Sequence, residues 1–309
     1  MIATPAARRT VLPRMARLAG ATVAAFLITF AVLVLGTAYK EAANWTHPLR
    51  VVPDTTPSAY GMPYEEVRLS TEDGVHLAAW YVPSPSGPTV VLLHGLHGNR
   101  AGDLPLAANL YDRGYGFIIP DLRAHGESDG TVTTLGVKET RDVRAAVDYL
   151  KAREDVDRER IGILGTSLGA AVTIMSASEI PELRAAVATS GFASIEWVVQ
   201  HQFEMLESVP QWLAPVVVAM GSLQTGVNVR EMAPVQRIGA ISPRPVLIIH
   251  GELDDTFAVD NALLLNEAAG EPKELWLIPG ARHSSPGAYA INPEAYVDRV
   301  AEFFDQYLS

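Results

Sequence analysis

IGILGTSLGAAV, residues 161–172, is the stretch that decides the fold class. Its first four residues have the pattern of a buried strand, and the small residues from Leu168 onward favour a helix, so Ser167 lies at the turn between them. A Gly-x-Ser-x-Gly turn lets strand and helix approach closely and exposes the serine hydroxyl on a strained backbone. This context predicts a nucleophilic serine. The alternative is a tight turn whose serine has no catalytic role.

A serine hydroxyl is a weak nucleophile at neutral pH, so it needs a base, and the base needs an acid that orients it. The histidines that follow Ser167 are His201, His250 and His283. We choose His283 as the base because it follows the last predicted strand, at the carboxyl edge of the sheet where Ser167 also lies. A surface-loop histidine without a catalytic role is the alternative.

The acid is expected between the serine and the histidine in the chain. The segment HGELDD, residues 250–255, follows the seventh predicted strand and has the pattern H-G-x-x-D with Asp254 as its aspartate. We therefore choose Asp254. Asp255, which is expected to cap a helix or face solvent, and Glu196 are the alternatives.

Acyl transfer also needs backbone N–H groups that stabilise the oxyanion of the tetrahedral intermediate. One is expected from Leu168, directly after the serine, and the other from Leu96 in the loop HGLHGN, residues 94–99. Apolar side chains at both positions are no objection, since the backbone provides the donors.

Short strand-like segments alternate with helix-length segments from residue 64 onward, which predicts a sheet that starts antiparallel and continues parallel. The eight strand candidates are residues 65–70, 75–82, 89–94, 116–121, 160–165, 184–190, 245–250 and 273–278. Residues 192–241 interrupt the alternation with apolar clusters at helical spacing. We predict a small helical cap there, since a structureless loop of this length is uncommon.

These motifs together resemble those of the α/β-hydrolase superfamily, over residues 64–308. The chain also has the superfamily's H-G-x-x-G at residues 94–98, and DLRAHGES at residues 121–128 is similar to D-x-R-G-H-G-x-S, with Ala124 where glycine is usual. Within the superfamily it resembles membrane-anchored hydrolases and the dienelactone-hydrolase-like branch. The resemblance implies the α/β-hydrolase fold, with an eight-stranded, mostly parallel sheet flanked by helices, and a serine esterase.

The N-terminus contains an uncharged apolar run, LAGATVAAFLITFAVLVLGTAY, residues 18–39. This is the length of a transmembrane helix, and the four arginines within the basic segment 1–17 predict a cytoplasmic N-terminus and an extracytoplasmic catalytic domain. A signal peptide cleaved near Ala38 and a buried core helix are the alternatives. The proline-containing residues 40–63 are predicted to be an extended linker to the hydrolase domain, residues 64–309.

Composition and residue types exclude several other functions. A net charge of −11 argues against nucleic-acid binding, and the absence of cysteine excludes disulfides and thiolate chemistry. His94, His97 and His125 are accompanied by no recognised metal-binding motif, and the glycine-rich loop lacks the Lys-Ser/Thr of a phosphate loop. We therefore expect no metal and no cofactor.

The predicted function is hydrolysis of a small-molecule carboxylic ester or thioester through an acyl-enzyme on Ser167. A serine peptidase or amidase of the same fold is the first alternative. A non-catalytic scaffold is a remote alternative, because none of the three proposed triad residues is missing. The sequence carries no signal for an oligomeric state.

Overall fold

The computed structural model describes residues 11–202, 209–283 and 287–309, with side chains from Met15 onward. Phe203 and Leu206, two of the apolar residues of the predicted cap, lie outside the described residues, as do Ser284 and Ser285 after the candidate base.

Eight strands form one sheet in the order β1-β2-β4-β3-β5-β6-β7-β8. β1 and β2 pair antiparallel, β2 pairs antiparallel with β4, and every later pair is parallel, which confirms the predicted sheet. The strands are β1 Glu65–Ser70, β2 His76–Val82, β3 Thr89–Leu93, β4 Gly116–Pro120, β5 Ile161–Thr166, β6 Ala185–Thr189, β7 Val246–Gly251 and β8 Lys273–Ile278.

The central strands are largely apolar because helices cover both faces of the sheet. Every residue of β3, β4, β6 and β7 is buried, whereas β1 at the sheet edge is largely exposed. The described helices are α1 Val11–Thr46, α2 Leu104–Tyr111, α3 Glu139–Ala152, α4 Leu168–Glu179, α5 Ile195–His201, α6 Ala214–Thr225, α7 Pro234–Arg237, α8 Asp260–Ala268, α9 Ala288–Ile291 and α10 Pro293–Tyr307. α3, α4 and α8 pack on one face, and α2 and α10 on the other.

The N-terminal helix differs from its prediction at its C-terminal end. α1 continues through Thr46 as one helix, so the first seven residues of the predicted linker 40–63 are helical. Residues 40–47 contain no proline, so nothing in this segment interrupts the helix before Pro48. The added turns also contact α6, and a contact with so distant a helix cannot be predicted from local sequence. After the helix, Pro57–Tyr60 form a short 3-10 helix before β1.

One face of α1 packs against α6 at intervals of four residues. Phe30 stacks on Trp212 with ring centroids 6.5 Å apart, and Ala38, Ala42 and Thr46 are buried farther along the same face. In contrast, none of the most apolar 18-residue window of α1 is buried. α1 is therefore not a core helix, although it is long and apolar enough to cross a membrane and its last turns belong to the folded domain.

Polar contacts also hold the end of α1 in place. The Gln224 side-chain amide donates to the Tyr39 carbonyl at 2.9 Å, and the Thr46 hydroxyl donates to Gln224 Oε1 at 2.6 Å. The N–H of Thr133 donates to the Thr46 carbonyl at 2.8 Å. The bond from Thr133 satisfies a carbonyl of the last turn that has no partner within the helix, and the two bonds with Gln224 tie α1 to α6.

Candidate active site

Ser167 lies on a sharp turn between β5 and α4. Its backbone has φ +57° and ψ −117°, a strained conformation for a residue with a side chain, and its N–H donates to the Thr189 carbonyl at 2.9 Å. A Cβ on Gly165 would lie 2.2 Å from the Gly169 carbonyl oxygen, and a Cβ on Gly169 would lie 2.4 Å from the Leu93 carbonyl oxygen. Both glycines are therefore required, because strand and helix approach too closely for any side chain.

The structure brings the three predicted triad residues into hydrogen-bond contact. His283 Nε2 lies 2.9 Å from Ser167 Oγ, and His283 Nδ1 lies 2.9 Å from Asp254 Oδ2. These distances suit proton transfer from the serine to an imidazole whose other nitrogen is held by a carboxylate. The Phe257 ring packs edge-on against the His283 ring with centroids 5.1 Å apart.

The Asp254 carboxylate is fully buried and held by its own loop. Its Oδ1 atom accepts hydrogen bonds from the N–H groups of Thr256 at 3.0 Å and Phe257 at 2.7 Å. His250 Nε2 lies 3.5 Å from Oδ2 but donates to the Phe257 carbonyl at 2.7 Å. These contacts fix the carboxylate facing His283.

The other candidates lie elsewhere. The Asp255 carboxylate is exposed and pairs with Arg282 at 2.9 Å, and the Glu196 carboxylate pairs with Arg230 at 2.7 Å. His201 lies on α5, where its Nδ1 bonds to the Trp197 carbonyl at 3.0 Å.

The loop after β3 lies directly against Ser167. A Cβ on Gly95 would lie 3.2 Å from Ser167 Cβ, and the Leu96 and Leu168 residues line the same cavity as Ser167 and His283. Within the described part of the chain, neither the Leu96 N–H nor the Leu168 N–H donates to another protein group. Both donors are therefore available for an oxyanion, as predicted for these positions.

His94 fixes this loop rather than binding a ligand. Its Nδ1–H donates to the Gly95 carbonyl at 2.7 Å, and its Nε2 accepts from the Leu122 N–H at 3.0 Å. Burial lowers the pKa of His94 to about 4, and burial likewise lowers the pKa of the neighbouring His125 to about 4. Both rings are neutral at pH 7. The described residues contain no group of three or more His, Cys, Asp or Glu side chains that could hold a metal ion.

The segment 121–128 forms a second supporting turn. Asp121 is fully buried, accepts from the N–H groups of Arg100 at 2.6 Å and Glu127 at 2.8 Å, and pairs with the Arg100 guanidinium. Ala124, where glycine is usual, has φ +65°, which is the conformation that favours glycine. The turn nevertheless closes, because the Ala124 N–H donates to the Asp129 carbonyl at 2.9 Å.

Two cavities adjoin Ser167 and His283. The first, of about 440 Å³, is bordered by cap residues such as Ile195 and, unexpectedly, by Glu41, Asn44 and Trp45 of α1. No local pattern predicts these three residues at the site, since their approach depends on packing between α1 and α6. The second cavity, of about 330 Å³, has the polar side chains of Asp103, Thr189, Ser190 and Tyr296 in its wall.

Comparisons with known proteins place this site in a family. Residues 105–309 match the model of the prolyl oligopeptidase family. The chain belongs to the prolyl oligopeptidase family. This membership confirms the predicted α/β-hydrolase superfamily and makes the chain a hydrolase.

Relatives of this prolyl oligopeptidase family member cover most of its length. YfhR of Salmonella typhi is 30% identical over 257 residues, which are 79% of this chain and 82% of YfhR. YqkD of Bacillus subtilis is 30% identical over 252 residues, which are 81% of this chain and 77% of YqkD. The solved Pyrococcus furiosus esterase Pf2001 superimposes with a TM-score of 0.71 and 29% identity, over 85% of this chain and 100% of that chain.

Proposed function

We propose that the chain hydrolyses carboxylic esters or thioesters, with Ser167 as nucleophile, His283 as base and Asp254 as the orienting acid. The observation that carries this proposal is the pair of 2.9 Å contacts that link Ser167 Oγ, His283 and Asp254. The structural similarity to an esterase over 85% of this chain supports ester cleavage in particular.

In the first step, Ser167 Oγ attacks the acyl carbon while its proton passes to His283 Nε2, and the carbonyl oxygen becomes an oxyanion. The Leu96 and Leu168 N–H groups stabilise that charge. The intermediate collapses as the bond to the leaving group breaks, and the leaving group takes the proton from His283. Water then gives a proton to His283 and attacks the acyl-enzyme, after which the acid leaves and Ser167 regains its proton. Asp254 holds the productive tautomer of His283 and stabilises its imidazolium form.

Active-site labelling tests this proposal. A fluorophosphonate probe should label the wild-type chain and should not label Ser167→Ala. Ser178→Ala is the matched control, because Ser178 lies on the same helix and its hydroxyl donates to the Met175 carbonyl at 2.6 Å. Equal labelling of Ser167→Ala and wild type would overturn the assignment of the nucleophile.

A peptidase or amidase is the second candidate, favoured by the name of the family that the chain matches. The two reactions differ in their leaving group. An amide releases an amine, which must be protonated by His283 before it leaves, whereas an ester or thioester releases an alcohol or thiol more readily. Matched ester and amide substrates with the same acyl group separate them. Faster turnover of the amide would favour the peptidase.

We further propose that α1 anchors the chain in a membrane, with the N-terminus cytoplasmic and the catalytic domain outside. The arginine-rich segment before the apolar run supports this orientation. Burial of Ala38 and Ala42 against the domain supports an uncleaved helix, because cleavage near Tyr39 would remove part of this contact. N-terminal sequencing of membrane-bound protein tests it, and a start near Tyr39 would indicate a signal peptide instead.

A further inference from the structure

A third cavity, narrow and with a volume of about 60 Å³, lies between α1, α5 and α6. It shares four wall residues with the 440 Å³ cavity beside Ser167, namely Trp45, Leu135, Ile195 and Val198. The two spaces are therefore adjacent, and a chain that extends from Ser167 along this wall is directed toward the narrow cavity.

The narrow cavity is apolar in character. Thr46 and Gln202 are the polar side chains on its wall. The Thr46 hydroxyl bonds to Gln224, and Gln202 Oε1 accepts from the Asn261 amide at 2.7 Å. Since these groups already have partners, the cavity favours an apolar occupant. Its volume holds only the end of a linear chain, whose remainder would lie in the 440 Å³ cavity beside Ser167.

Ser167 and His283 border both of the larger cavities, so a substrate can extend from the serine in two directions. The narrow cavity adjoins the one that Glu41, Asn44 and Trp45 border, and it shares no wall residue with the one that contains Asp103 and Ser190. The acyl chain is therefore placed on the α1 side of Ser167, and the leaving group on the Asp103 side.

The outer surface around α6 indicates the phase from which an acyl chain would enter the cavity. Pro215, Ala219 and Leu223 of α6 are exposed at helical spacing, together with Trp212 of the 3-10 helix directly before α6, next to the exposed apolar part of α1. This stripe favours contact with an apolar phase, and aromatic side chains such as Trp212 are common at membrane interfaces. The narrow cavity lies on the inner side of the same two helices.

We infer that the cavity between α1, α5 and α6 is an acyl-chain site, and that the preferred substrates are esters or thioesters of linear medium- to long-chain fatty acids. The membrane helix thereby supplies part of the specificity site through Ala42 and Trp45. This inference rests on the proposed ester hydrolase function.

A chain-length series of p-nitrophenyl esters, from acetate to laurate, tests the inference on full-length protein in detergent. Wild-type kcat/KM should rise with chain length. Gly221→Leu should fill the cavity, because a Cβ on Gly221 has only ordinary contacts at 3.9 Å. We expect kcat/KM for laurate to fall by about tenfold or more while acetate turnover is retained.

Two further variants keep the test independent of folding. Ala219→Leu adds the same side chain at an exposed position of the same helix and should keep the wild-type profile. Val199→Ala shortens a side chain in the wall and thereby enlarges the cavity. It should increase kcat/KM for laurate relative to octanoate, whereas misfolding would lower the activity toward both esters. An unchanged chain-length profile in both Gly221→Leu and Val199→Ala would overturn the acyl-chain site.

Fluorophosphonate labelling separates the two proposals. A wild-type chain that is labelled at Ser167 but shows no dependence on chain length contradicts the acyl-chain site alone. A chain that is not labelled at all contradicts the hydrolase assignment as well.

Discussion

At the scale of single residues, adjacent aspartates with different surroundings give a clear prediction. Asp254 is buried beside His283, whereas Asp255 is exposed and paired with Arg282. Asp254→Asn should lower kcat by a factor on the order of 10⁴, because an amide favours the wrong His283 tautomer. Asp255→Asn is the control and should keep near-normal turnover of a p-nitrophenyl ester. Similar losses in both variants would contradict the assignment of Asp254.

Asp103, in the wall of the 330 Å³ cavity, predicts a pH-dependent stability. Burial raises the pKa of its carboxyl from 3.8 to about 6. The folded state therefore binds this proton more tightly than the unfolded state, so the contribution to stability falls as pH rises from about 4 to about 6. Asp103→Asn removes this loss and should be more stable than wild type above pH 6 by roughly 1–2 kcal/mol.

Thermal unfolding at pH 4 and pH 7 measures the effect. The stabilisation by Asp103→Asn should be present at pH 7 and largely absent at pH 4. Asp148→Asn, which removes an exposed carboxylate on α3, should show no such dependence. Equal effects of the two variants at both pH values would contradict the burial of Asp103.

The catalytic candidates were predictable at this scale because each follows a strand at the carboxyl edge of a parallel sheet. Motif spacing was enough to prefer Asp254 to Asp255, and the structure places Asp254 2.9 Å from His283. Asp103 was not predictable, because its burial depends on residues of α10 nearly two hundred positions later in the chain.

At the scale of elements, the turn between β5 and α4 predicts a strong intolerance to substitution. Gly169→Ala places a Cβ 2.4 Å from a backbone oxygen of β3, which cannot move without disturbing the sheet. We expect a loss of about 3 kcal/mol or more in the free energy of unfolding, together with loss of fluorophosphonate labelling.

Gly102→Ala is the matched control. Gly102 is exposed, has no positive φ, and its Cβ would meet the nearest atom at 3.4 Å. Chemical denaturation of both variants should show a large loss only for Gly169→Ala. A stable, fully labelled Gly169→Ala chain would show that the close contact between α4 and β3 is not needed.

Every end of the eight strands was predicted to within one residue, because apolar runs bounded by turn residues determine the strands locally. The C-terminal end of α1, in contrast, was not predicted. Residues 40–46 contain charges and no apolar run, and they are helical where Ala42 and Thr46 meet α6, a helix about 170 positions away in the chain. Such a contact leaves no local signal in the sequence.

At the scale of the whole molecule, α1 has two parts with different roles. Deleting residues 1–28 should leave a folded, active domain, because Phe30 to Thr46 still pack on α6. Deleting residues 1–46 exposes Leu213 and Val217 of that interface and removes part of the cavity wall. We expect the longer deletion to lower the melting temperature and the turnover of long-chain esters.

Two measurements on both deletion variants in the same detergent check this prediction. They are the melting temperature and the ratio of laurate to acetate turnover. Equal melting temperatures and equal activity ratios would show that the last turns of α1 act only as a tether.

If α1 is both the membrane anchor and the acyl-chain wall proposed above, its packing on α6 links the location of the enzyme to its substrate selectivity. A protease that cuts inside α1 near Ala38 would free the domain from the bilayer and, in the same event, loosen one wall of its acyl-chain site. Shedding would then be a form of inactivation toward lipid-like substrates rather than a way to send the activity elsewhere. Evolution of a secreted form would have to rebuild that wall from another part of the chain.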